Sequence, residues 1–432
     1  MDRILTALFV TAGSTLLLGQ PPAPAQLTRQ EAEHIALANN PRIQASQLLA
    51  KVQGQVVRET RAGELPSVTG NLTGVETNEA SRISAGALTA SRLLTHVGGG
   101  VQVSQLITDF GHTSNLVASE KLKEKARQAD ALASSEDIVL ATDQVFYSAI
   151  EAKATVQVAD ETVAARQALV DQVSALTAAK LKSTLDLSFA QVDLSQAKLL
   201  QLDARNNLDA AKTALNAVLG YDKQMNYELV EDATGLPALP PDPDSLTTSA
   251  LDRRPDLQSL RFTEQATQKF SRAQHAQLFP TISALGVVGG TPVGSNQYFN
   301  SDWYGAAGLN IGIPIFDGFR LRAQSAEAAL MVRAASEHTR DLRDQIVRDV
   351  RTAWLNASAA LQKVTVSGEL LNHASTALDL AKTRYQIGLS SIVELSQAQL
   401  QQTQAAIGNA NARAQYSFAI ANLQYQVGAN SH

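Results

Sequence analysis

Apolar residues along this chain change period several times, and they do so twice in the same order. In one long stretch Leu132, Val139 and Phe146, then Val156, Val163 and Val170, recur every seven residues. In another, Val347, Trp354 and Leu361, then Leu371, Leu378 and Tyr385, do the same. Sevenfold spacing lays an apolar seam along a helix, so both stretches predict long helices packed side by side as in a coiled coil. Proline marks their limits: none of the 13 prolines lies between Pro66 and Pro237 or after Pro314. A proline inside a helix removes a hydrogen bond and collides with the preceding turn. The pattern predicts one helix from about Thr113 to Ala179 and another from about Leu321 to Ile387. At about 1.5 Å per residue each would be roughly 100 Å long. Both meet a break, Lys180 to Thr184 in one and Gly388-Leu389-Ser390-Ser391 in the other. Helical spacing then resumes over Leu185 to Leu219 and Val393 to Val427, which predicts returning hairpin partners of roughly 50 Å.

Upstream of each long helix the period falls to two. Val68, Gly70 and Leu72 alternate with Thr69, Asn71 and Thr73, and Val97, Gly99, Val101 and Val103 alternate with polar or small residues. Ile282 to Val288 and Leu309 to Ile315 read the same way. This predicts four strands of about ten residues in two hairpins, about 66–106 and about 280–316, with tips at Ser81 to Ser91 and Pro292 to Ser301. A further helix opens the first copy, where Thr28-Arg29-Gln30-Glu31 has the form of a capping box, and its pattern continues to about Glu64.

Motifs repeat along with periods. Asn40-Pro41-Arg42-Ile43-Gln44 returns as Arg254-Pro255-Asp256-Leu257-Gln258, and Leu65-Pro66-Ser67-Val68 as Phe279-Pro280-Thr281-Ile282, both at an offset of 214. At an offset of 208, Asp109 answers Asp317, Asp186-Leu187-Ser188 answers Glu394-Leu395-Ser396, and Leu219-Gly220 answers Val427-Gly428. The chain is a tandem duplication whose period is far too long for a solenoid. The domain boundaries follow it: 26–234 is the first structural repeat, 235–244 a Pro-rich linker and 245–432 the second repeat. Residues 1–25 read as a signal peptide, with an apolar run from Ile4 to Leu18 and a small-x-small site at Ala23-Pro24-Ala25. A short membrane anchor is the other reading of that run.

Composition narrows the functional classes. With a net charge of −5 and no run of Lys or Arg, nucleic acid is not expected as a partner. Without cysteine, disulfides and attachment of lipid to an N-terminal Cys are not expected, so the mature protein reads as exported and unlipidated. The seven histidines show no metal-ligand spacing, and Gly98-Gly99-Gly100 and Gly289-Gly290 lack the Lys-Ser/Thr of a phosphate loop. No enzyme, no metal and no cofactor is expected.

Strands of this length, apolar on one face and polar or small on the other, suit a membrane barrel with lipid outside and water inside; a pair of soluble hairpins is the plainer reading. Four strands cannot close, and an open edge in lipid leaves backbone groups unpaired at several kcal/mol each. A barrel must therefore be shared between chains. Tyr298, Phe299, Trp303 and Tyr304 flank one hairpin tip, and Phe110, Phe279, Phe316 and Phe319 sit at the strand-helix junctions, as two membrane girdles would.

Together, the signal peptide, the Asn-Asn-Pro and Arg-Arg-Pro-Asp-Leu openings, the Leu-Pro-Ser and Phe-Pro-Thr strand starts, and the Ile-Thr-Asp-Phe-Gly and Ile-Phe-Asp-Gly-Phe junctions, with Arg384-Tyr385-Gln386-Ile387-Gly388-Leu389-Ser390, resemble the TolC-type outer-membrane efflux protein family. The resemblance covers essentially all of the mature chain. It implies a mainly α fold with a transmembrane β-barrel portion, in which tandem-duplicated long antiparallel helical hairpins form an α-barrel. Four strands per chain would contribute to a trimeric 12-stranded barrel in the outer membrane. The implied partners are two further copies of the chain, outer-membrane lipid, a periplasmic adaptor and an inner-membrane transporter, and the implied role is a passive exit duct. A type I protein-secretion conduit fits equally, and a periplasmic coiled-coil scaffold that forms no pore is the alternative of another class.

The resemblance also assigns sites. Ile387, Gly388, Leu389 and Ser390 match the family's adaptor-contacting turn, with Gly388 suited to φ > 0 and Leu389 an exposed apolar knob. Lys180-Leu181-Lys182-Ser183 keeps the knob as Leu181 but lacks the glycine, so the two tips are expected to be unequal. Ordinary helix-hairpin turns are the alternative. At the gate, Glu394 falls at a constriction carboxylate and Gln397 at a second, uncharged position, while Tyr385 and Asp186 match residues that bond between neighbouring coiled coils. Three copies of Glu394 about one axis would repel one another and attract cations. The family's arginine link is absent, since Ser390 and Leu185 stand there, which implies a weaker latch; a solvated helix face is the plain reading of Glu394 and Asp186.

Overall fold

The structure, a computed structural model, describes residues 25–76, 96–223, 225, 227–231, 235–293 and 303–429. The signal-peptide reading up to residue 24, the first hairpin tip, most of the second, and the predicted girdle residues Tyr298 and Phe299 lie outside the described residues.

Helix α1, Arg29–Asn39, starts at the predicted capping box: Glu31 N–H donates to Thr28 Oγ1 at 3.3 Å and Thr28 N–H to Glu31 Oε2 at 3.2 Å. It does not run on to residue 64. The chain turns at Asn40, which is extended because proline excludes the α region from the residue before it, and α2 occupies Pro41–Ala62. Asn40 Oδ1 caps α2 by accepting from Arg42 N–H at 3.0 Å. The same break separates α5, Pro243–Arg253, from α6, Pro255–Ala276. Helix α5 begins inside the stretch read as a linker, where the Asp242 carboxylate accepts from the N–H groups of Asp244 and Ser245.

The two long helices are α3, His112–Ala178, and α7, Arg320–Gln386, with 67 residues each. Their return partners are α4, Thr184–Val218, and α8, Ile392–Val427. Alanine dominates the buried seams, with Ala149, Ala159, Ala357 and Ala250 fully excluded from water, so these helices approach closely. Near the hairpin turns the lateral order is α4, α3, α8, α7; nearer the sheet α2, α3, α6, α7 pack in that order. The two copies thus lie side by side and meet across the α3–α8 and α3–α6 seams, with α4 near the turns, α2 nearer the sheet, and α7 throughout at the outer edges of the layer.

Four strands form one antiparallel sheet in the order β2 Ser67–Val75, β3 His96–Thr108, β5 Thr281–Val293 and β6 Trp303–Gly312. The last ends before the predicted Ile315, since Pro314 has no N–H for a ladder. A separate parallel pair, β1 Ala25–Leu27 with β4 Tyr227–Leu229, was not predicted; it is too short for a readable period. It closes the first copy, while the second copy is closed by side chains: Trp354 Nε1 donates to Pro240 O at 2.8 Å and Tyr416 Oη to Pro237 O at 2.6 Å.

The repeated motifs meet in space. Asn40 Nδ2 donates to Val218 O at 3.1 Å, and a Cβ on Gly220 (φ +77°) would lie 3.0 Å from Asn39 O. In the second copy a Cβ on Gly428 (φ +69°) would lie 3.2 Å from Arg254 N. Each copy is fastened where its returning helix ends against its own proline break.

Candidate functional site

Both hairpin turns have the same backbone. Leu181 N–H donates to Leu176 O and Leu389 N–H to Arg384 O, each at 2.8 Å, closing the six-residue loop that ends helices with a left-handed residue. That residue is Lys180 (φ +59°) in one copy and Gly388 (φ +78°) in the other. The expected inequality is therefore one of side chain and strain, not of path. Ser183 and Ser391 cap the return helices by accepting from the N–H groups of Asp186 and Glu394 at 3.1 and 3.3 Å. Leu181, Ile387 and Leu389 stand 71%, 64% and 68% exposed at this end, whereas Ser390 Oγ is buried with no hydrogen-bond partner.

Just inside the turns, Tyr385 is buried against Leu169, Val173, Ile392 and Leu395. Its hydroxyl has no hydrogen-bond partner, so no bond joins it to Asp186 within one chain. Burial, with the Asp186 charge, pushes that hydroxyl's pKa up, and the Lys182 ammonium lies 4.2 Å from its ring centroid. Glu394 and Gln397 are exposed three residues apart on one face of α8. The sequence reading missed Arg384, whose Nε lies 3.6 Å from Glu394 Oε1 and whose Nη2 donates to Leu389 O at 3.4 Å. Opposite charges in the last turn of one helix and the first turn of the next were the available signal.

At the far end the sheet has two unlike faces. Register places Val68, Leu72, Val101, Val103, Val288, Leu309 and Ile311 on one, and Ser67, Thr69, Asn71, Gln102, Ser104, Ser283 and Asn310, together with Leu285 and Val287, on the other. Trp303 belongs to the apolar face and is 68% exposed. Tyr304 does not: it lies on the polar face, where its hydroxyl covers Gly289 and Gly100, so that a Cβ on either would collide with it. A girdle of adjacent aromatics is thereby split by the two-residue period of the strand.

At the strand-helix junctions the Phe110 and Phe279 rings lie tilted 5.9 Å apart and Phe316 meets Phe319 edge to face at 5.7 Å, all four exposed. Two consecutive left-handed residues make each turn, Phe110-Gly111 in one copy and Gly318-Phe319 in the other. Asp109 and Asp317 then cap the long helices by accepting from Thr113 N–H at 2.7 Å and Leu321 N–H at 2.9 Å. Burial works against the Asp109 charge, but bonds from Thr113 and Gly111 outweigh it and lower the pKa.

Residues 33–221 and 246–429 match the outer membrane efflux protein family. The chain belongs to that family. The two matched stretches correspond to the two copies, and the family consists of transport ducts rather than enzymes. The chain is 24% identical over 409 residues to the outer membrane efflux protein BepC of Brucella suis, covering 91% of this chain and 83% of BepC. It is 23% identical over 419 residues to the outer membrane protein TolC of Escherichia coli, covering 91% of this chain and 80% of TolC. A crystal structure of CusC superposes with a TM-score of 0.81 at 19% identity over 95% of both chains, which shows the shared fold. This family member is an outer-membrane efflux channel reaching into the periplasm. Among its described residues no helix is long and apolar enough to cross a membrane, and no cluster of side chains could hold a metal.

Proposed function

We propose that three copies of this chain close into one passive duct, with a 12-stranded barrel in the outer membrane above a tube of helical hairpins. The open sheet carries the reading. One face is mainly apolar residues and glycine, the other carries most of the sheet's hydroxyl and amide side chains together with Leu285 and Val287, and β2 and β6 each pair on one side among the described residues. The helical layer is open in the same sense. Leu185, Phe189, Val192, Leu199 and Leu202 line the outer edge of α4 and are exposed, and Leu355, Val366, Leu370 and Leu380 of α7 are exposed at the other edge. A neighbouring copy laid beside the layer would bring the α4 stripe to the α7 stripe.

The exposed leucines at the turns then form the tip that meets a periplasmic adaptor, and the adaptor's inner-membrane pump selects the cargo. Tyr385, Asp186, Glu394 and Gln397 line the approach to that tip. Arg384 offsets part of the Glu394 charge, so the ring of three carboxylates is less repulsive than three bare glutamates would be.

The test is extraction from outer membranes in detergent, mass determination, and planar-bilayer recording. A trimer with discrete conductance steps is expected; a detergent-independent monomer without conductance would reverse the reading in favour of a scaffold. Tyr385→Phe and Asp186→Ala are expected to raise conductance, because the Tyr385 hydroxyl is buried without a partner in its own chain and gains one at the assembled gate by a change of side-chain position. Unchanged conductance in both variants would remove these residues from the gate.

A further inference from the structure

The polar face of the sheet is polar without being charged. None of β2, β3, β5 and β6 contains Asp, Glu, Lys or Arg, so this wall meets a solute with hydrogen bonds and contact, not with ion pairs. One aromatic interrupts it. Side chains usually stand up from a sheet, but Tyr304 lies down on it. Its partner across the ladder is Gly289, which pairs on its other side with Gly100. A Cβ on Gly289 would come within 2.6 Å of Tyr304 Cζ, and one on Gly100 within 2.8 Å of its Oη. The ring therefore reaches from β6 across β5 to β3, resting on two glycines, while the residue stays 44% exposed.

Beside the ring the wall dips. A depression of about 180 Å³ has Gly98 and Gly100 in its floor, and Asn71 and Thr73 of β2, Gln102 of β3 and Val287 of β5 around it, with Tyr304. A cavity of about 150 Å³ holds a benzene ring, so this one accepts a six-membered ring with small substituents. A flat aromatic face suits stacking, and two neighbouring amides each offer both a donor and an acceptor. The matching ligand is a ring with apolar faces, hydrogen-bonding groups at its edge and no net charge. Held by one stack and a few bonds exposed to water, it binds weakly, as a wall that must also release its cargo requires.

We propose that Tyr304, Asn71 and Gln102 form a stacking site for uncharged, planar aromatic solutes on the inner wall of the barrel. The proposal rests on the duct reading, which turns the polar face inward. The Gly289–Tyr304 pair is the last but one of its ladder toward the hairpin tip, at the end of the sheet away from the helices. Three copies of the chain would thus carry three such sites near the outer mouth, the last wall that departing cargo meets.

The test uses the full chain purified in detergent, caffeine as an uncharged planar probe, and glucose as a ring without an aromatic face. Binding is read by saturation-transfer NMR. Caffeine is expected to saturate in the millimolar range and glucose to give no saturable signal. Tyr304→Leu is expected to raise the half-saturating caffeine concentration about ten-fold, whereas Tyr304→Phe, which keeps the flat face, should leave it within about two-fold. Because Tyr304→Leu uncovers two glycines, Asn71→Ala and Gln102→Ala carry the test should that barrel fail to assemble. Each is expected to raise the half-saturating concentration about three-fold in a protein that still forms trimers and conducts. Trp303→Leu, on the opposite face, should change nothing. Caffeine binding unaltered in the Asn71, Gln102 and Tyr304 variants would overturn the site, reduce Tyr304 to a cover for its glycines and leave the duct intact. Equal binding of glucose would overturn the aromatic class of ligand. A wild-type chain that forms neither trimer nor channel would overturn the duct reading and this site with it.

Discussion

At the scale of residues, the two copies differ most where they are most alike in path. Lys180 adopts the left-handed conformation that Gly388 adopts, and a residue with a Cβ gives up about 1 kcal/mol or more there. Lys180→Gly is expected to stabilise the chain by about 0.5–1 kcal/mol in urea titrations, the gain being trimmed by glycine's looser unfolded state, and Gly388→Ala to cost about 1 kcal/mol. The glycine's role was legible in the sequence. That a lysine would accept the same geometry was not, because the turn is imposed by the packing of the hairpin. Also unreadable was Glu136 of α3, whose carboxyl is buried near Asp256, Arg254 and Asp137; burial pushes its pKa up to about 7. The folded state then holds a proton that the unfolded state releases near pH 4.5, so stability falls as pH rises from about 4.5 to 7 and levels off above. The loss is on the order of 3 kcal/mol, and Glu136→Gln is expected to abolish it. Urea midpoints at pH 5 and pH 8 should drop for the wild type relative to the variant; parallel midpoints would refute the assignment.

At the scale of elements, periodicity carried the helices and strands, and local stereochemistry corrected their ends. The sevenfold seam was sufficient for α3 and α7, but an opening helix running to residue 64 ignored the effect of Pro41 on Asn40, which splits it into α1 and α2. Likewise the strand alternation was legible, whereas the side to which Tyr304 points required the register of Gly289 against Tyr304. The short β1–β4 pair had no signal of its own; three residues cannot show a period. The contact between Gly220 and Asn39 explains why two distant motifs repeat together. Gly220→Ala combines a positive φ with a Cβ 3.0 Å from a carbonyl oxygen, and is expected to cost about 2 kcal/mol or more, read as a lowered urea midpoint. An unchanged midpoint would mean that the proline break can yield.

At the scale of the molecule, the described residues of one chain form a sheet whose β2 and β6 edges pair on one side only and a helical layer with apolar stripes along both sides. The duplication and the open sheet are visible in the sequence, and both point to a barrel shared between chains. Edge residues such as Leu199, 62% exposed in the chain, could not be told from seam residues, because both obey the same heptad. Leu199→Glu with Leu202→Glu is expected to leave helix content unchanged while shifting the detergent-solubilised protein from trimer to monomer, as measured by light scattering; a surviving trimer would place the α4 edge elsewhere.

The fastening of each copy to itself has a genetic consequence. A unit whose returning helix locks onto its own opening does not need its neighbour in order to know where its ends belong. The chain is in that sense a covalent dimer, and the segment just ahead of Pro237 is the tether, since Pro237 and Pro240 are already bonded into the second copy. Expressed as two separate genes broken within that segment, the halves should meet again along the α3–α8 and α3–α6 seams, and the proposed ring of three chains would become a ring of six subunits of two alternating kinds.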